Sequence, residues 1–259
     1  MDYWTQSNQN IFVAGHRGWS EKYPENTMEA FLAAAKLGVD QIETDVRLTR
    51  DGQLVLFHDE TLERVTNGSG KVIDHTLAEL KKLRVKGKGT IPTLEEFLGI
   101  FEDYPMLTLD MELKEYPTEG REELAYRTCD RVLTVLSDHG LTDRCVINSW
   151  SGKLNEYIYR TYGQKYRQHV YYPVRCLGPC ELDPYAYAYC ACVFGVQEGE
   201  ITLEDVHTLH RNTGVRIWAG TYAKDEASVD LAVRMGAELI TCNNPDEVLD
   251  ILRKKKLHS

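Results

Sequence analysis

The residues with the clearest capacity for chemistry are charged side chains at the ends of short apolar runs. His16 and Arg17 end one run, and His58 with Asp59 ends another. An imidazole titrates near neutral pH and can move protons, and a guanidinium binds anions through paired hydrogen bonds. A buried strand that ends at such residues exposes them at one edge of a sheet, where α/β proteins place their active sites. The pattern therefore indicates proton transfer.

Three acidic side chains in two further apolar stretches predict a metal site. Glu43 and Asp45 are two residues apart in QIETDVRL, so on a strand they point to the same side. Such a pair is costly to bury unless a cation or a proton neutralises it, although one of them could instead turn outward into a surface salt bridge. Glu112 in LTLDMELKE would complete an oxygen site suited to Mg²⁺ or Ca²⁺. Lys114, with Arg17, would supply positive charge for an anionic substrate, but a half-exposed antiparallel strand explains the alternation around Glu112 equally well.

Apolar runs alternate with helical patterns along the chain, and these elements must position the charged residues. The predicted strands are 11–15, 40–46, 54–58, 106–112, 144–149, 168–172, 192–197, 215–220 and 238–242. The predicted helices are 27–38, 93–102, 121–139, 151–162, 184–190, 202–213, 224–235 and 246–255. Repeated βα units are typical of a doubly wound sheet or a (β/α)8 TIM barrel, and eight main strands in about 250 residues favour the barrel.

The length of 259 residues, 42% of them hydrophobic, suits a single domain over 1–259. Residues 59–92 are rich in Gly and Lys and follow the extra strand 54–58, so we predict a small insertion above the barrel mouth. Asn26 and Glu29 predict a capping box at the start of the first helix.

Charge and hydropathy exclude two classes of partner. The net charge is −10, and the only short basic stretch is 253–256, so we expect no nucleic-acid partner. No apolar run approaches the ~20 residues needed to cross a bilayer, so we expect no membrane insertion. Residues 1–10 lack the pattern of a signal peptide, and we expect a cytoplasmic protein.

The cysteines and a tyrosine cluster are given structural interpretations. Seven cysteines is an odd number, and we expect free thiols. A zinc site is disfavoured because the spacing C-x3-C-x9-C-x-C fits no common zinc motif; its members are Cys176, Cys180, Cys190 and Cys192. A second cluster could edge a pocket for a choline-like cation, but packing is favoured; it comprises Tyr185, Tyr187 and Tyr189.

Five short motifs together resemble the glycerophosphodiester phosphodiesterase family in order and spacing. They are His16-Arg17-Gly18, Glu25-Asn26-Thr27, Glu43-x-Asp45, His58-Asp59 and Glu112-x-Lys114. The match extends to RVTNGSGKV, IPTLEEFL and GAELITCNNPDEVL, so it covers nearly the whole chain. The resemblance implies a TIM barrel, a divalent metal and hydrolysis of glycerophosphodiesters to an alcohol and glycerol 3-phosphate. Glycerophosphocholine and glycerophosphoethanolamine are examples of such small-molecule substrates.

The resemblance also implies residue roles. The catalytic acid/base pair would be His16 and His58. The metal ligands would be Glu43, Asp45 and Glu112. The substrate would be contacted by Arg17 and Lys114 at its phosphate and by Trp218 at the border of its pocket.

The chain departs from the family pattern in two places. Residues 218–221 read Trp-Ala-Gly-Thr where many members have Trp-Thr-Val-Asn, and TCNNP stands where Thr-Asp-x-Pro is common. We expect both differences in the wall that receives the alcohol. The role of Glu25 stays open between an indirect, supporting contact to the metal or to His16 and help in capping the helix at Asn26.

Two alternative functions remain. One is a lysophospholipase D-like or sphingolipid-cleaving enzyme on the same barrel, and the other is a non-catalytic barrel that binds phosphoglycerol. The first would want an exposed apolar rim, and the second would be expected to have lost a histidine or a carboxylate. For the enzyme we expect attack by the substrate's own hydroxyl, a cyclic phosphate and its hydrolysis, with the histidines exchanging roles. The sequence leaves the oligomeric state open.

Overall fold

A computed structural model describes residues 3–4 and 10–259. Its strands are β1 (Phe12–His16), β2 (Gln41–Leu48), β3 (Leu54–Leu56), β4 (Thr108–Leu113), β5 (Cys145–Asn148), β6 (Arg167–Tyr172), β7 (Cys190–Val193), β8 (Arg216–Ala219) and β9 (Leu239–Cys242). They form one sheet in the order β1-β9-β8-β7-β6-β5-β4-β2-β3, and β1 also pairs with β2. Eight parallel strands therefore close into a barrel, which confirms the predicted (β/α)8 TIM barrel. The short β3 pairs antiparallel with β2 on the outside of this ring.

The helices follow the strands around the barrel. They are α1 (Met28–Leu37), α2 (Leu77–Leu80), α3 (Leu94–Leu98), α4 (Ile100–Asp103), α5 (Glu122–Asp138), α6 (Gly152–Tyr162), α7 (Leu203–Thr213), α8 (Glu226–Arg234) and α9 (Pro245–Lys254). Among the described residues, no helix combines the length and the apolar character that crossing a membrane requires.

One predicted helix is wrong. Residues 184–190 contain only a single 3-10 turn, Pro184–Ala186. The backbone N–H of Tyr189 already donates to the carbonyl of Gln168, at 2.8 Å, so the chain has joined the sheet before β7 begins. Three closely spaced tyrosines suggested a helix face, but the pairing with β6 decides the local structure.

The predicted cap of α1 is also wrong. Thr27, not Asn26, caps this helix, and its hydroxyl accepts a hydrogen bond from the N–H of Ala30 at 3.3 Å. Asn26 instead has a positive φ of 54° and turns its side chain towards β2. Asn26 and Thr27 are both common cap residues. Because the Asn26 side chain is hydrogen-bonded to Asp45 in the barrel interior, Thr27 caps the helix.

Side chains of β2 and β4 are buried along their whole length, as both faces of a parallel barrel strand are covered. Outward-pointing residues pack against helices, and inward-pointing residues fill the barrel. The inward positions of these two strands carry acidic residues, so the barrel interior is polar on this side.

The stretch 59–92 has its own small apolar cluster apart from the main core. The buried side chains of this cluster are Val55, Phe57, Leu62, Val65, Val72, Leu80, Val85 and Ile91. Isolated backbone bridges join Thr61 to Lys71 and Thr66 to Val85. The stretch is therefore held together by local packing after β3.

Candidate active site

The turn after β1 lies very close to Glu43 and to the backbone of α1. Arg17 has a φ of 56°, which L residues rarely adopt, and its N–H donates to the Glu43 carboxylate at 3.0 Å. Gly18 follows with a φ of 80°, and a Cβ there would lie 2.6 Å from the Ala30 backbone. The turn packs directly on α1, and this packing leaves His16 and Arg17 at the mouth of the barrel.

The three predicted metal ligands come together. One oxygen from each of Glu43, Asp45 and Glu112 lies within 4.8 Å of the other two, and all three residues are buried. β2 and β4 are neighbours, and Asp45 is in register with Glu112. The period of two along β2 places Glu43 on the same side as Asp45.

Two cations already contact this cluster. The Nζ of Lys114 lies 3.1 Å from Oδ1 of Asp45 and also contacts the Glu112 carboxylate. The Nε of Arg17 lies 3.3 Å from Oδ2 of Asp45. Burial alone would raise the pKa of Asp45, but the charges of Lys114 and Arg17 outweigh it and the net shift is downward.

The pKa values of Glu43 and Glu112 shift upward, even though Lys114 contacts the Glu112 carboxylate. Burial raises the pKa of Glu43 well above its usual value, and the negative charge of Asp45 adds to the shift. Burial also raises the pKa of Glu112, with Lys114 opposing the shift and Asp45 adding to it. Oδ1 of Asp45 accepts no hydrogen bond, although it is buried. An all-oxygen cluster short of positive charge fits a hard divalent cation.

Asn26 is a neighbour of this cluster that the sequence interpretation placed in the helix cap. Its Nδ2 donates to Oδ2 of Asp45 at 2.8 Å, and its Oδ1 accepts from the Thr44 hydroxyl at 2.8 Å. The side chain thus fixes one ligand carboxylate and satisfies an adjacent buried hydroxyl. In the sequence, its position in the Glu25-Asn26-Thr27 motif was the one feature that could have indicated this role.

His58 lies after β3, beside a carboxylate partner. Its Nδ1 is 2.5 Å from Oδ1 of Asp59, and Nε of Arg64 donates to Oδ2 of the same carboxylate at 2.5 Å. Burial lowers the pKa of His58, while Asp45 and Asp59 oppose the shift. A carboxylate on Nδ1 holds the ring in one orientation and leaves Nε2 directed away from Asp59.

Glu25 reaches the acidic cluster indirectly, through Arg17, which is one of the two roles left open from the sequence. Its carboxylate accepts from Nη1 of Arg17 at 2.8 Å and from both terminal nitrogens of Arg64, at 2.7 and 2.8 Å. Burial would raise the pKa of Glu25, but these two arginines lower it to about 2. Glu25 and Arg64 therefore link the turn that carries Arg17 to the stretch that follows His58.

His16 has a neutral partner. Its Nδ1 lies 2.6 Å from Oδ1 of Asn243, and its Nε2 lies 3.8 Å from Oε2 of Glu43. Burial lowers the pKa of His16 to about 4, and the nearby Arg17 charge contributes. The TCNNP stretch was expected in the wall that receives the alcohol. In the structure β9 is paired with β1, which brings Asn243 of this stretch onto His16, and Thr241 of the same stretch lines the cavity described below.

Arg47 supports the site through backbone contacts, and the sequence interpretation did not single it out. Its guanidinium donates to the backbone carbonyl of His58 at 2.8 and 3.0 Å and to that of Lys114 at 3.3 Å. One buried cation thus fixes the backbone of two predicted site residues. A charged residue inside the apolar β2 sequence was the available signal.

A cavity of about 180 Å³ opens at the barrel mouth between the histidines and the carboxylates. Its lining includes five predicted site residues: His16, Arg17, Glu43, His58 and Glu112. Asp45 and Lys114 lie behind this wall and are buried. The opposite wall carries three aromatic side chains, Trp150, Tyr171 and Phe194.

Trp218 does not border this cavity, contrary to the prediction. Its side chain is 2% exposed, and its ring packs on Trp4 and His169 inside the barrel. Gly220 and Thr221 lie further along the same strand direction and reach the cavity instead. The prediction therefore placed the aromatic residue one inward-facing position too close to the mouth.

The cysteines and the tyrosine cluster, which were given structural interpretations from the sequence, lie outside the proposed metal site. All seven cysteines are free, and among the described residues the acidic cluster is the one group that could hold a metal ion. The three clustered tyrosines lie away from the cavity lining. Tyr187 stacks on Tyr159 with ring centroids 4.7 Å apart, and the Tyr185 hydroxyl donates to the Tyr171 carbonyl.

The chain is similar in sequence to proteins of one known family. The sequence profile of the Glycerophosphoryl diester phosphodiesterase family matches residues 16–247. A curated glycerophosphodiester phosphodiesterase of Caldanaerobacter subterraneus subsp. tengcongensis is 32% identical over 256 residues, which cover 93% of this chain and 98% of the relative.

Solved structures share the fold. A glycerophosphoryl diester phosphodiesterase of Parabacteroides distasonis superimposes with a TM-score of 0.73 at 25% identity, covering 98% of this chain and 90% of that one. An Oleispira antarctica phosphodiesterase, solved in complex with the product sn-glycerol-3-phosphate, superimposes with a TM-score of 0.79 at 24% identity, covering 94% and 97%.

Proposed function

The chain belongs to the glycerophosphoryl diester phosphodiesterase family, and from that premise we propose that it hydrolyses small glycerophosphodiesters with the help of a divalent cation and two histidines. Glycerophosphocholine and glycerophosphoethanolamine are the proposed substrates, and glycerol 3-phosphate with the free alcohol are the products. The Oleispira antarctica phosphodiesterase binds sn-glycerol-3-phosphate as its product, which supports this assignment.

One observation carries the proposal. Two histidines line a single cavity together with Arg17 and two of the three clustered carboxylates. Proton-transfer groups, an anion-binding guanidinium and a site for a hard cation are the parts that cleavage of a phosphodiester anion needs. The non-catalytic alternative lacks support because all the predicted reacting groups are present.

Glu43, Asp45 and Glu112 would hold the cation. When bound, Mg²⁺ or Ca²⁺ would lower the pKa of a coordinated hydroxyl and offset charge on the phosphoryl oxygens. Arg17 lies beside these carboxylates and would bind the phosphoryl group, and Lys114 would add positive charge from behind the cavity wall.

The two histidines differ in their partners, and this difference suggests their roles. His16 faces Glu43 and has the uncharged amide of Asn243 on Nδ1, so we assign it to accept the proton of the substrate hydroxyl. His58 has the carboxylate of Asp59 on Nδ1, which stabilises an imidazolium, so we assign it to protonate the departing alcohol.

The bonds then change in two steps. The glycerol hydroxyl next to the ester-bearing carbon forms a new P–O bond while the P–O bond to the alcohol breaks, which leaves a five-membered cyclic phosphate. His16 now holds a proton, and His58 has given one away. His58 next takes a proton from water as the water oxygen attacks phosphorus, and His16 returns its proton to the glycerol oxygen that leaves. Atoms and protons balance, and glycerol 3-phosphate is the product.

A substrate panel with metal control tests the proposal. The purified protein would be treated with EDTA and then assayed on glycerophosphocholine, glycerophosphoethanolamine and lysophosphatidylcholine, with Mg²⁺, Ca²⁺ or Mn²⁺ added back. We expect turnover of the first two compounds only after a cation is restored. Glu112→Gln should raise the cation concentration required, whereas the exposed Glu102→Gln serves as the charge-matched control.

Three outcomes would contradict parts of the proposal. Full activity in excess EDTA would remove the cation from the function. Faster cleavage of lysophosphatidylcholine than of glycerophosphocholine would favour the lysophospholipase D-like alternative. Absence of turnover with every diester and cation would remove the enzymatic proposal altogether.

A further inference from the structure

A third histidine lies in the cavity with a carboxylate partner, and the mechanism above does not use it. His169 lies on β6 inside the barrel and is 4% exposed. Its Nδ1 is 2.7 Å from Oδ2 of Asp110, and Oδ1 of Asp110 accepts from Nδ2 of Asn148 at 2.6 Å. The Tyr171 hydroxyl in turn donates to Oδ1 of Asn148 at 3.0 Å.

The other ring nitrogen of His169 has no protein partner. Nε2 is buried and makes no hydrogen bond with any of the described residues. An unpaired buried polar atom costs about 1–3 kcal/mol, and most such atoms in proteins bind water or a ligand. Because His169 and Asp110 both line the cavity, a bound molecule can satisfy this nitrogen.

The chemistry of the missing partner follows from the tautomer. A carboxylate accepts hydrogen bonds, so the bond to Asp110 places the ring proton on Nδ1. In the neutral ring Nε2 then presents a lone pair to the cavity. The partner of this lone pair must be a donor, and the glycerol hydroxyls are the donors that both proposed substrates, glycerophosphocholine and glycerophosphoethanolamine, share. The phosphodiester anion has no donor of its own.

The depth of His169 indicates which hydroxyl it meets. Tyr171 lies two residues later on the same strand, and Asn148 likewise precedes Trp150, so the histidine lies deeper in the barrel than the aromatic wall. A departing alcohol of variable size needs the open mouth. The glycerol part must therefore occupy the deeper end. Its inner hydroxyl is the proposed nucleophile, and the terminal hydroxyl remains.

We propose that His169, positioned by Asp110, accepts a hydrogen bond from the terminal hydroxyl of the substrate's glycerol and so selects glycerol over diols that lack this group. This inference rests on the proposed function. The ring is fixed on two sides, with the ring centroids of Tyr171 and Trp218 at 5.0 and 5.2 Å. Such support favours one fixed orientation over an adaptable contact.

Two matched substrates test the inference. Both carry the same choline alcohol; one contains glycerol, and the other contains 1,2-propanediol, which keeps the inner hydroxyl and lacks only the terminal one. The wild-type protein should prefer the glycerol diester by about 10- to 100-fold in kcat/KM, as expected when a buried acceptor loses its donor. In His169→Phe the preference should fall to about threefold or less, mainly through lost activity on the glycerol diester.

His207→Gln is the control, because this histidine lies on α7, does not line the cavity and hydrogen-bonds to the Arg234 carbonyl. It should leave the preference unchanged. Equal activity of the wild-type protein on the two diesters would overturn the inference and leave the proposed function intact. A parallel loss on both diesters in a folded His169→Phe protein would indicate a structural role and would also overturn it.

Calorimetry supplies a readout that does not need turnover. Wild-type protein should bind glycerol 3-phosphate about 10-fold or more tightly than 1,2-propanediol 1-phosphate, for the same reason. Equal binding constants would refute the hydrogen bond. If no diester is hydrolysed, the proposed function fails, and this comparison still decides the role of His169.

Discussion

The side-chain amide oxygen of Asn243 lies 2.6 Å from Nδ1 of His16, and the Ser20 hydroxyl donates to the same oxygen at 3.0 Å. His58 has a carboxylate at the equivalent place. One histidine is thus oriented by a neutral group and the other by an anion. The difference suggests that the two rings are adapted to different directions of proton transfer.

Asn243→Asp should therefore change the pH profile of the reaction. The new carboxylate would raise the pKa of His16 from its low value of about 4, since it stabilises the protonated ring. A base must be unprotonated, so the acidic limb of kcat/KM should move to higher pH. Steady-state rates across the acidic and neutral range would measure the shift. Asn212→Asp adds the same charge on the exposed surface of α7 and should leave the profile in place.

Removal of either of the two histidines proposed as acid and base should slow the reaction without unfolding the barrel. General acid–base catalysis contributes about 10²–10⁴-fold, so His16→Ala and His58→Ala should each lower kcat by about that factor. The two act on one proton path, so the double variant should lose less than the product of the single losses. Circular dichroism would check the fold. Near-normal turnover of either single variant would make that histidine structural.

The substrate's inner hydroxyl should be required for turnover. An intramolecular nucleophile gains an effective molarity of about 10⁵ M or more when it is well oriented. A choline diester of 1,3-propanediol lacks this hydroxyl and keeps the terminal one. It should bind with modestly weaker affinity and show almost no release of choline. Comparable rates for this compound and glycerophosphocholine would contradict attack by the substrate.

Arg64 should act as a positioning residue, since it holds Asp59 and Glu25 at once. Without it, the supports of His58 and Arg17 are both loosened, and a misplacement of about 1 Å can cost about 10²-fold. Arg64→Met should lower kcat by about 10- to 100-fold, and Arg64→Lys should recover part of the loss. Arg84→Met in the same stretch is exposed and is the control. If Arg64→Met and Arg84→Met have equal kcat values, Arg64 does not position the site.

The free energy of unfolding should depend on pH through the contact between His258 and Asp40, which does not line the cavity. Nε2 of His258 lies 2.9 Å from Oδ2 of Asp40. Burial would lower the pKa of His258, but the contact with Asp40 outweighs it and the net shift is upward from 6.5. The folded state therefore binds this proton more tightly than the unfolded state. The resulting stabilisation is fully present below pH 6.5 and is lost as the pH rises through the folded pKa.

Urea unfolding at mildly acidic and mildly alkaline pH would measure this effect. His258→Gln should cost about 1.5 kcal/mol at the acidic pH, as for a hydrogen bond to a charged group, and much less at the alkaline pH. An equal cost at both values would show that the proton does not contribute.

Local patterns in the sequence were sufficient for the barrel and for the side chains that we propose as its reacting groups. Glu43 and Asp45 obey the period of two along one strand, and His16 and His58 follow directly from the ends of strands. These positions depend on neighbours in the chain, so a single sequence specifies them. Parallel strands present their carboxyl ends at one edge of a sheet. This rule was enough to predict that Glu43 and Asp45 lie close to Glu112.

Contacts between distant elements were not accessible in the same way. His16 and Asn243 are 227 residues apart, and His169 and Asp110 are 59 apart. Which side chains meet inside a closed barrel depends on the stagger of the strands, and no local pattern encodes it. The position of Trp218 shows the same limit, since its depth depends on where β8 ends.

The proposed reacting residues and the aromatic wall of the cavity lie in different parts of the chain, so the two can change separately in evolution. His16, His58 and Glu112 all precede β5, whereas the aromatic wall formed by Trp150 and Phe194 comes after it. Substitution, or exchange between related genes, in the later half-barrel can therefore alter the aromatic wall of the cavity while the proposed catalytic histidines and metal ligands are inherited unchanged. Asn243 is the exception, because a later residue there governs an earlier histidine, and it sets a constraint on any such recombination.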